Sequence, residues 1–129
     1  MPGWDFDVFA PAGAFHSDVS DLLTLLEANL SDAETPVART LARARELHAV
    51  GDGQQLPLGW QREVSLQGGL EIFWHNGGTG GYACFVAFNR ASQFGVVVLA
   101  NYGDAIAGRF DVDKIGLDLV KLGSKVSLE

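Results

Sequence analysis

The sequence predicts an α+β fold, with helices packed on one antiparallel sheet of four strands. Three observations support this prediction. Leucines recur at helical spacing in the first third of the chain, the hydrophobic period changes to two from Leu58, and a helical pattern returns after Asp111. The turns between the period-two segments are short, and short connections join antiparallel neighbours. We therefore expect the order helix, helix, four-strand meander, helix.

The composition indicates a globular protein without a nucleic-acid partner. The 129 residues are most simply one domain, 1–129, with 47% hydrophobic and 19% charged residues. The net charge is −7, from 9 Lys+Arg against 16 Asp+Glu, which disfavours binding to phosphate backbones. No apolar run reaches the roughly 18 residues of a membrane span, and the start does not read as a signal peptide. Both ends look cut, and Leu128-Glu129 resembles a vector scar, so we expect a piece of a longer protein.

Two helices are expected in the first half of the chain. Residues 1–16 carry prolines and glycines and read as an extended N-terminal segment. Ser17 is a good N-cap for the helix "DVSDLLTLLEANL". Thr35 is expected to cap the second helix, with Pro36 at its first position. The apolar face of the first helix consists of Val19, Leu22, Leu23, Leu26 and Leu30.

Four strands and a last helix complete the prediction. The strands are expected at residues 58–66, 69–75, 81–89 and 94–101. The last two are apolar on both faces and should be covered on both sides, with Cys84 as a small core residue. Leu70, Ile72 and Trp74 should share one face of the second strand, opposite Glu71, Phe73 and His75. The face that buries the final helix is expected to consist of Val112, Ile115, Leu119 and Leu122.

The stretch "FWHNGGTGGY", residues 73–82, places four glycines and several polar side chains after an apolar run. One interpretation is a β-bulge or tight turn. A phosphate-binding loop is disfavoured, because a strand pattern follows instead of Lys-Ser/Thr and a helix. A third interpretation is the edge of an active site, where glycines let a substrate approach the backbone and free N–H groups can hold an oxyanion. Lipase-type "HGGG" loops do this too, but their Gly-x-Ser-x-Gly elbow is absent here.

The run "WHNGGTGGYACFVAFNRASQFGVVVLANY" resembles the closing part of the serine β-lactamase and penicillin-binding-protein superfamily, most closely its class C, D-aminopeptidase and esterase-like branch. Members carry a Lys-Thr-Gly-type triad on a strand at the active-site edge, and the matching triad here is His75-Asn76-Gly77. Histidine at the first place is common in the esterase-like branch, whereas asparagine for threonine is a departure. "PAGAFHSDVSDLLTLLEANL" resembles the helix that precedes this part, so the resemblance covers about residues 9–122. It implies a partial β-lactamase/transpeptidase-like fold.

The resemblance also implies site roles. His75 would face the substrate or the catalytic hydroxyl, Asn76 would hydrogen-bond the substrate, and the Gly78 N–H would form half of an oxyanion hole. Gly77 and Gly80 would keep the strand edge clear, and Thr79 would orient the loop. The family nucleophile is the serine of Ser-x-x-Lys, and no such motif precedes any of the three lysines. Nor is there a Tyr-x-Asn or Ser-x-Asn motif.

We therefore expect this chain to form one wall of the active site of a bacterial serine hydrolase and to be inactive by itself. The full-length parent protein is expected to act on a β-lactam, a D-amino-acid peptide or a small ester. The resemblance implies a periplasmic or secreted parent and a missing N-terminal part that completes the site. No cofactor and no metal site are expected. The alternative is a stand-alone, non-catalytic domain that binds a ligand or partner.

The resemblance also points to an open sheet edge. In the family, two strands from the N-terminal part pair beside the strand that matches residues 94–100. Without them, we expect a homodimer through residues 94–100 or aggregation, unless the segment 4–10 folds back and covers the edge.

Overall fold

The protein is an α+β structure, with one helix on each face of a four-stranded antiparallel sheet. The computed structural model describes residues 5–51, 54–65, 70–102 and 111–126. The helices are a 3-10 helix at Asp7–Ala12, α1 at Val19–Leu30, α2 at Pro36–Arg45 and α3 at Val112–Val126. The strands are β1 at His48–Val50, β2 at Gln54–Leu56, β3 at Gln61–Val64, β4 at Glu71–Thr79, β5 at Tyr82–Asn89 and β6 at Phe94–Ala100. None of the helices in these ranges has both the length and the apolar character needed to cross a membrane.

The main sheet has the strand order β3-β4-β5-β6. It carries a hydrophobic core on each face, because the apolar residues of β5 and β6 alternate to both sides. The core under α3 contains Ile72, Phe85 and Val120, and Trp74 stacks on Phe85 at a centroid distance of 5.7 Å. The core under α1 consists of Leu26, Phe73 and Phe88, with Trp60 packed against it. The predicted meander, its two covered sides and the opposite faces of Ile72 and Phe73 are confirmed.

The chain before α1 differs from the prediction in two ways. The segment 1–16 was expected to be extended, but residues 7–12 form a 3-10 helix. Val8 and Phe9 are exposed there, so the described part of the segment 4–10 does not cover β6. The N-cap of α1 is Asp18 and not Ser17, because the Asp18 carboxylate accepts the backbone N–H of Asp21 at 3.0 Å. The cap of α2 at Thr35, whose hydroxyl accepts from Ala38 N–H at 3.1 Å, is confirmed.

The strand expected at 58–66 is shorter, and a hairpin precedes it. Gly59 has φ +70°, a left-handed conformation that cannot continue an extended strand, so β3 begins only at Gln61. Leu66 lies outside the described residues. The hairpin of β1 and β2 was not predicted, since the side chains of β2 are all exposed and leave no hydrophobic alternation to read. Arg62 of β3 forms an ion pair with Glu71 on the neighbouring strand, with 2.6 Å between Nε and Oε1.

The face of α3 that packs on the sheet is also different from the prediction. Of the expected residues Val112, Ile115, Leu119 and Leu122, only Val112 is buried. The buried face instead consists of Val112, Gly116, Val120 and Ser124. The reason is close approach: the Cα of Gly116 lies over the ring of Phe85, and Gly123 lies over Phe94. Small residues meet the large rings of the sheet, and the larger apolar residues of α3 point outward.

The turn between β5 and β6 fixes the C-terminal end of α1. Arg90 donates to the carbonyls of Asn29 and Ser31 and pairs with Asp32. The amide of Gln93 donates to the Leu30 carbonyl at 3.1 Å. These donors satisfy carbonyls that have no partner within the helix and add positive charge at its C-terminal end. The loop therefore holds α1 against the sheet on the face that carries His75.

Replacing Gly116 by alanine should destabilise the protein more than replacing Gly123. The new Cβ would lie 2.0 Å from Cδ1 of the fully buried Phe85 ring, and overpacking of this kind costs about 1–3 kcal/mol or more. At Gly123 the clash is with Phe94 at 2.2 Å, but this ring is only partly buried and can move. Urea unfolding measures both changes. Gly51→Ala is the control, because nothing lies within 4 Å of its Cβ; equal stabilities of the three variants would contradict this packing.

Candidate active site

The candidate site lies at the C-terminal end of β4, where the strand has a neighbour on one side only. Strand β5 pairs with β4 as far as Thr79, but β3 pairs only from Glu71 to Trp74. Within the described residues, no strand pairs with β4 beyond Trp74 on the β3 side. The edge from His75 to Thr79 is therefore open on that side. Gly77 and Gly78 are part of a continuous strand and not a bulge, whereas Gly80 and Gly81 form the tight turn between β4 and β5.

The backbone of Gly78 faces this open edge. In an antiparallel strand the N–H and C=O of one residue point to the same side, and the side alternates with each residue. The Leu70 carbonyl accepts from Ser65 N–H at 2.9 Å, which places the backbone groups of even-numbered β4 residues on the β3 side. Gly78 and Asn76 are even-numbered and lie beyond the end of β3. The N–H of Gly78 is thus directed outward, where an incoming oxygen can accept it.

His75 lies beside this edge with one ring nitrogen engaged. Its Nδ1 is 2.7 Å from the Asn76 carbonyl. A carbonyl can only accept, so this contact places the proton on Nδ1 and leaves Nε2 of the neutral ring as an acceptor. The imidazole is exposed, so Nε2 can receive a hydrogen bond from a molecule bound at the edge.

The side chain of Asn76 points to the other face of the sheet. Its Nδ2 donates to Oδ2 of Asp113 at 2.6 Å, in a partly buried contact with α3. Successive residues of a strand alternate between faces, so Asn76 cannot share the face of His75. The sequence prediction had this side chain hydrogen-bonding a substrate, whereas the structure gives its amide a protein partner. Oδ1 of Asp113 is buried and has no hydrogen-bond partner in the part of the chain that the structure describes.

Gly77 and Cys84 face each other across β4 and β5, on the side that carries His75. A Cβ on Gly77 would lie 3.2 Å from the Cys84 sulfur, so glycine leaves the space that this thiol occupies. The prediction of Cys84 as a core residue is wrong, because its side chain is exposed: this end of β5 extends beyond the part of the sheet that α1 covers. Partial burial against the strand and the negative charge of Asp113 raise the pKa of the Cys84 thiol, against an opposing hydrogen bond from Gly77.

Thr79 and Gly80 lie at the tip of the hairpin. Thr79 is the last residue of β4, and its carbonyl accepts from Gly81 N–H at 2.7 Å. Gly80 and Gly81 form the two-residue turn into β5. Because the turn is this short, β5 pairs with β4 as far as Thr79, including Gly77 and Gly78. Gly80 therefore belongs to the turn, one residue beyond the open edge that it was expected to keep clear.

The other histidines and Ser17 lie outside β4 and β5 in the chain. Ser17 and His16 lie before α1, and His48 Nε2 is 3.1 Å from the Arg43 carbonyl, consistent with donation to that carbonyl. Among the residues that the structure describes, no group of three His, Cys, Asp or Glu side chains is placed to hold a metal ion. The arrangement at β4 can therefore donate a backbone hydrogen bond and accept one at His75, while the nucleophilic serine of a Ser-x-x-Lys motif is absent from the sequence.

Sequence reasoning missed two residues of this neighbourhood, Asp113 and Cys84. Asp113 is 37 positions from Asn76 in sequence, and nothing in its local pattern indicates that contact. Cys84 could have been assigned to the His75 face, because the two-residue turn at Gly80-Gly81 fixes the pairing of the strands.

A family model described as Beta-lactamase matches residues 1–119. The match includes all of β1 to β6 and the first half of α3. No curated protein and no solved structure matches the chain.

We expect Cys84 to react with a thiol reagent in the folded protein, with a pH midpoint above that of a free cysteine, which is about 8.5. Its raised pKa leaves less thiolate at neutral pH, and the thiolate is the reacting form. Asp113→Asn should lower the midpoint, since it removes a negative charge while keeping an oxygen for Asn76. The rate of reaction with an aromatic disulfide, measured against pH, tests this. Asp118→Asn is the control on the same helix; a thiol that reacts only after unfolding would contradict the exposed position.

Proposed function

The chain belongs to the beta-lactamase family, and we propose on that basis that it forms one wall of a serine-hydrolase active site for acyl transfer. The observation that carries the proposal is the outward N–H of Gly78 on the open edge of β4, next to the acceptor nitrogen of His75. This is the segment that the sequence singled out as an oxyanion-binding edge.

The chemistry follows from where negative charge develops. When a serine attacks an acyl carbon, the carbonyl oxygen becomes an oxyanion, and fixed N–H donors stabilise it without reorganising. Gly78 would supply one such donor, held in place by the β4–β5 ladder. The serine itself would come from outside these 129 residues, which contain no Ser-x-x-Lys.

His75 would act next to that oxyanion. With its proton on Nδ1, its Nε2 can accept a hydrogen bond from the attacking hydroxyl or from a polar group of the substrate. In its charged form the ring would instead donate to a substrate carboxylate. Asn76 acts as a positioning residue in this scheme, because its bond to Asp113 ties the site segment of β4 to α3.

The open edge also suits an extended substrate. The backbone groups of Asn76 and Gly78 point outward, so an extended acyl group can pair with them as an additional strand would. Gly77 lacks a side chain on this face, where the Cys84 sulfur lies 3.2 Å from the position of a Cβ. A β-lactam, a D-amino-acid peptide or a small ester would each present the acyl oxygen that this edge needs. An esterase-like member fits the histidine at position 75 best.

A second candidate is a non-catalytic domain that binds a ligand at the same edge. The absence of Ser-x-x-Lys from the sequence favours it. The two candidates differ when the chain is fused behind a segment that carries Ser-x-x-Lys. If the chain forms part of the active site, its presence in the fusion raises the turnover of substrate. Gly78→Pro in that fusion then lowers kcat about 10²–10³-fold, as the loss of one oxyanion donor does.

The 129-residue chain alone should not hydrolyse a chromogenic β-lactam or a nitrophenyl ester above background. The site offers stabilisation of an oxyanion but lacks the serine of Ser-x-x-Lys, and losing the nucleophile removes most of the rate of such enzymes. Stopped-flow and steady-state absorbance measure this. A burst of product stoichiometric with protein would refute the assignment and identify a nucleophile within the chain.

A penicillin at millimolar concentration should shift the amide resonance of Gly78 and the ring resonances of His75. Both groups face the proposed ligand, so ¹⁵N and ¹³C NMR titration measures the contact directly. Gly78→Pro removes the outward N–H and should weaken binding at least tenfold. Leu99→Pro is the matched control on the opposite edge of the sheet. Shifts confined to other elements, or equal binding by both variants, would contradict the proposal.

A further inference from the structure

Asn76 of β4 makes one contact on each face of the sheet. Its side-chain Nδ2 donates to Oδ2 of Asp113 at 2.6 Å, on the face that α3 covers. Its backbone carbonyl lies 2.7 Å from Nδ1 of His75, whose side chain is on the opposite face. Two hydrogen bonds that share Asn76 therefore connect a carboxylate of α3 to the imidazole of the candidate site.

The start of α3 fixes the carboxylate at one end of this connection. Oδ1 of Asp111 accepts from the backbone N–H groups of Asp113 and Lys114, at 3.0 Å each. Asp113 lies in the first turn of the helix, where the free N–H groups of the helix favour a negative charge. The carboxylate therefore meets Asn76 from a position that the helix itself holds.

The bond between Asp113 and Asn76 is a firm restraint on the strand. The other carboxylate oxygen, Oδ1, is buried and has no hydrogen-bond partner in the described part of the chain. A hydrogen bond to an ionised group is roughly twice as strong as one between neutral groups. Removing one partner of a buried polar group costs the desolvation of the group that remains. The carboxylate thus holds the Asn76 amide more strongly than an ordinary surface contact would.

The backbone of β4 has few other restraints at this point. Strand β5 pairs with it on one side, and among the described residues no strand pairs with it beyond Trp74 on the other side. Asn76 is followed by Gly77 and Gly78, and glycine has the greatest backbone freedom of all residues. The directions of the peptide groups are therefore less constrained here than in the middle of a sheet, and the bond from Asp113 adds a restraint from the covered face.

The direction of the Asn76 carbonyl decides which nitrogen of His75 carries the proton. A carbonyl can only accept, so the ring nitrogen that faces it is the protonated one, and this contact sets the tautomer of the neutral ring. If the carbonyl turned away, the ring would be free to carry its proton on Nε2. Nε2 would then be a donor and could not accept a hydrogen bond from an attacking hydroxyl.

We propose that Asp113 is a positioning residue of the candidate site, which keeps the proton of His75 on Nδ1 by restraining Asn76 from the opposite face of the sheet. Asp113 acts through Asn76 and not on the substrate. The inference rests on the proposed function, because an acceptor at Nε2 matters only when a hydroxyl or a substrate group approaches it. A purely structural contact would tie α3 to the sheet and leave the tautomer of the ring unchanged.

Nitrogen-15 NMR of the His75 ring in the 129-residue chain, without any ligand, separates these two roles. We would record it at about pH 8.5, where an ordinary histidine with a pKa of about 6.5 is neutral. The unmodified protein should carry the proton mainly on Nδ1. Asp113→Ala should raise the fraction of Nε2–H about threefold or more, since the tautomer follows the hydrogen bond of the ring. Asp113→Asn should leave it unchanged, because the amide oxygen still accepts from Asn76.

Asp118→Asn is the matched control, because it removes the ion pair of Asp118 with Lys114 on the exposed side of the same helix. It should leave the tautomer unchanged. Hydrogen exchange of the His75 and Gly77 amides, which face β5, reports whether the β4–β5 ladder is intact in each variant. A changed tautomer with both amides still protected is a local effect and not unfolding.

An exchange of the two side chains keeps the test valid if Asp113→Ala fails to fold. Asn76→Asp alone places two carboxylates in contact and should raise the fraction of Nε2–H. Adding Asp113→Asn exchanges donor and acceptor and should restore Nδ1–H. A folded double variant with its proton mainly on Nε2 would overturn the inference. So would an unmodified protein with its proton on Nε2, or an unchanged tautomer in a folded Asp113→Ala. Failure of penicillin to bind would refute the proposed function instead, because the ring is read without ligand.

Discussion

The pairing register of β4 with β5 is the constraint on which the rest of the structure depends. A shift by one residue would move every side chain of a strand to the other face. With Phe73 opposite Phe88 and Gly77 opposite Cys84, the large apolar residues enter the two cores and His75 stays exposed. The same register directs the Gly78 N–H to the open edge. The tight turn at Gly80-Gly81 and the stacking of Phe73 on Phe88, at a centroid distance of 5.4 Å, hold this register.

Close packing of α3 is the second determinant, and it follows from glycine. Gly116 and Gly123 let the helix approach the rings of Phe85 and Phe94, so the contact with the sheet uses small residues. The apolar face of α3 is then wider than the part that packs on the sheet, and the larger apolar residues of the helix remain exposed. A helix whose sequence predicts one buried face thus has two apolar sides, one packed on the sheet and one exposed within the described residues.

The candidate site is made mostly of backbone. Its donor is a main-chain N–H, and the ring of His75 is oriented by a main-chain carbonyl. The partly buried Asp113 acts from the opposite face through Asn76 and through its effect on the Cys84 thiol. Such a site depends on the sheet remaining rigid, because backbone donors are positioned only by the ladder that contains them. The contact between Asn76 and Asp113 links that ladder to α3.

The sequence by itself determined the elements whose cause is local. Nearly continuous apolar runs predicted β5 and β6 and their two covered faces, Thr35 and Pro36 predicted the start of α2, and the glycine-rich run located the open edge. The family resemblance assigned His75 and Gly78 to the site. Sequence alone failed where a distant partner decides the outcome. The choice of Gly116 over Ile115 as the buried residue of α3 depends on the ring of Phe85, and the direction of Asn76 depends on Asp113, 37 residues away. Periodicity records which residues are apolar, but only tertiary packing decides which of them the sheet has room to bury.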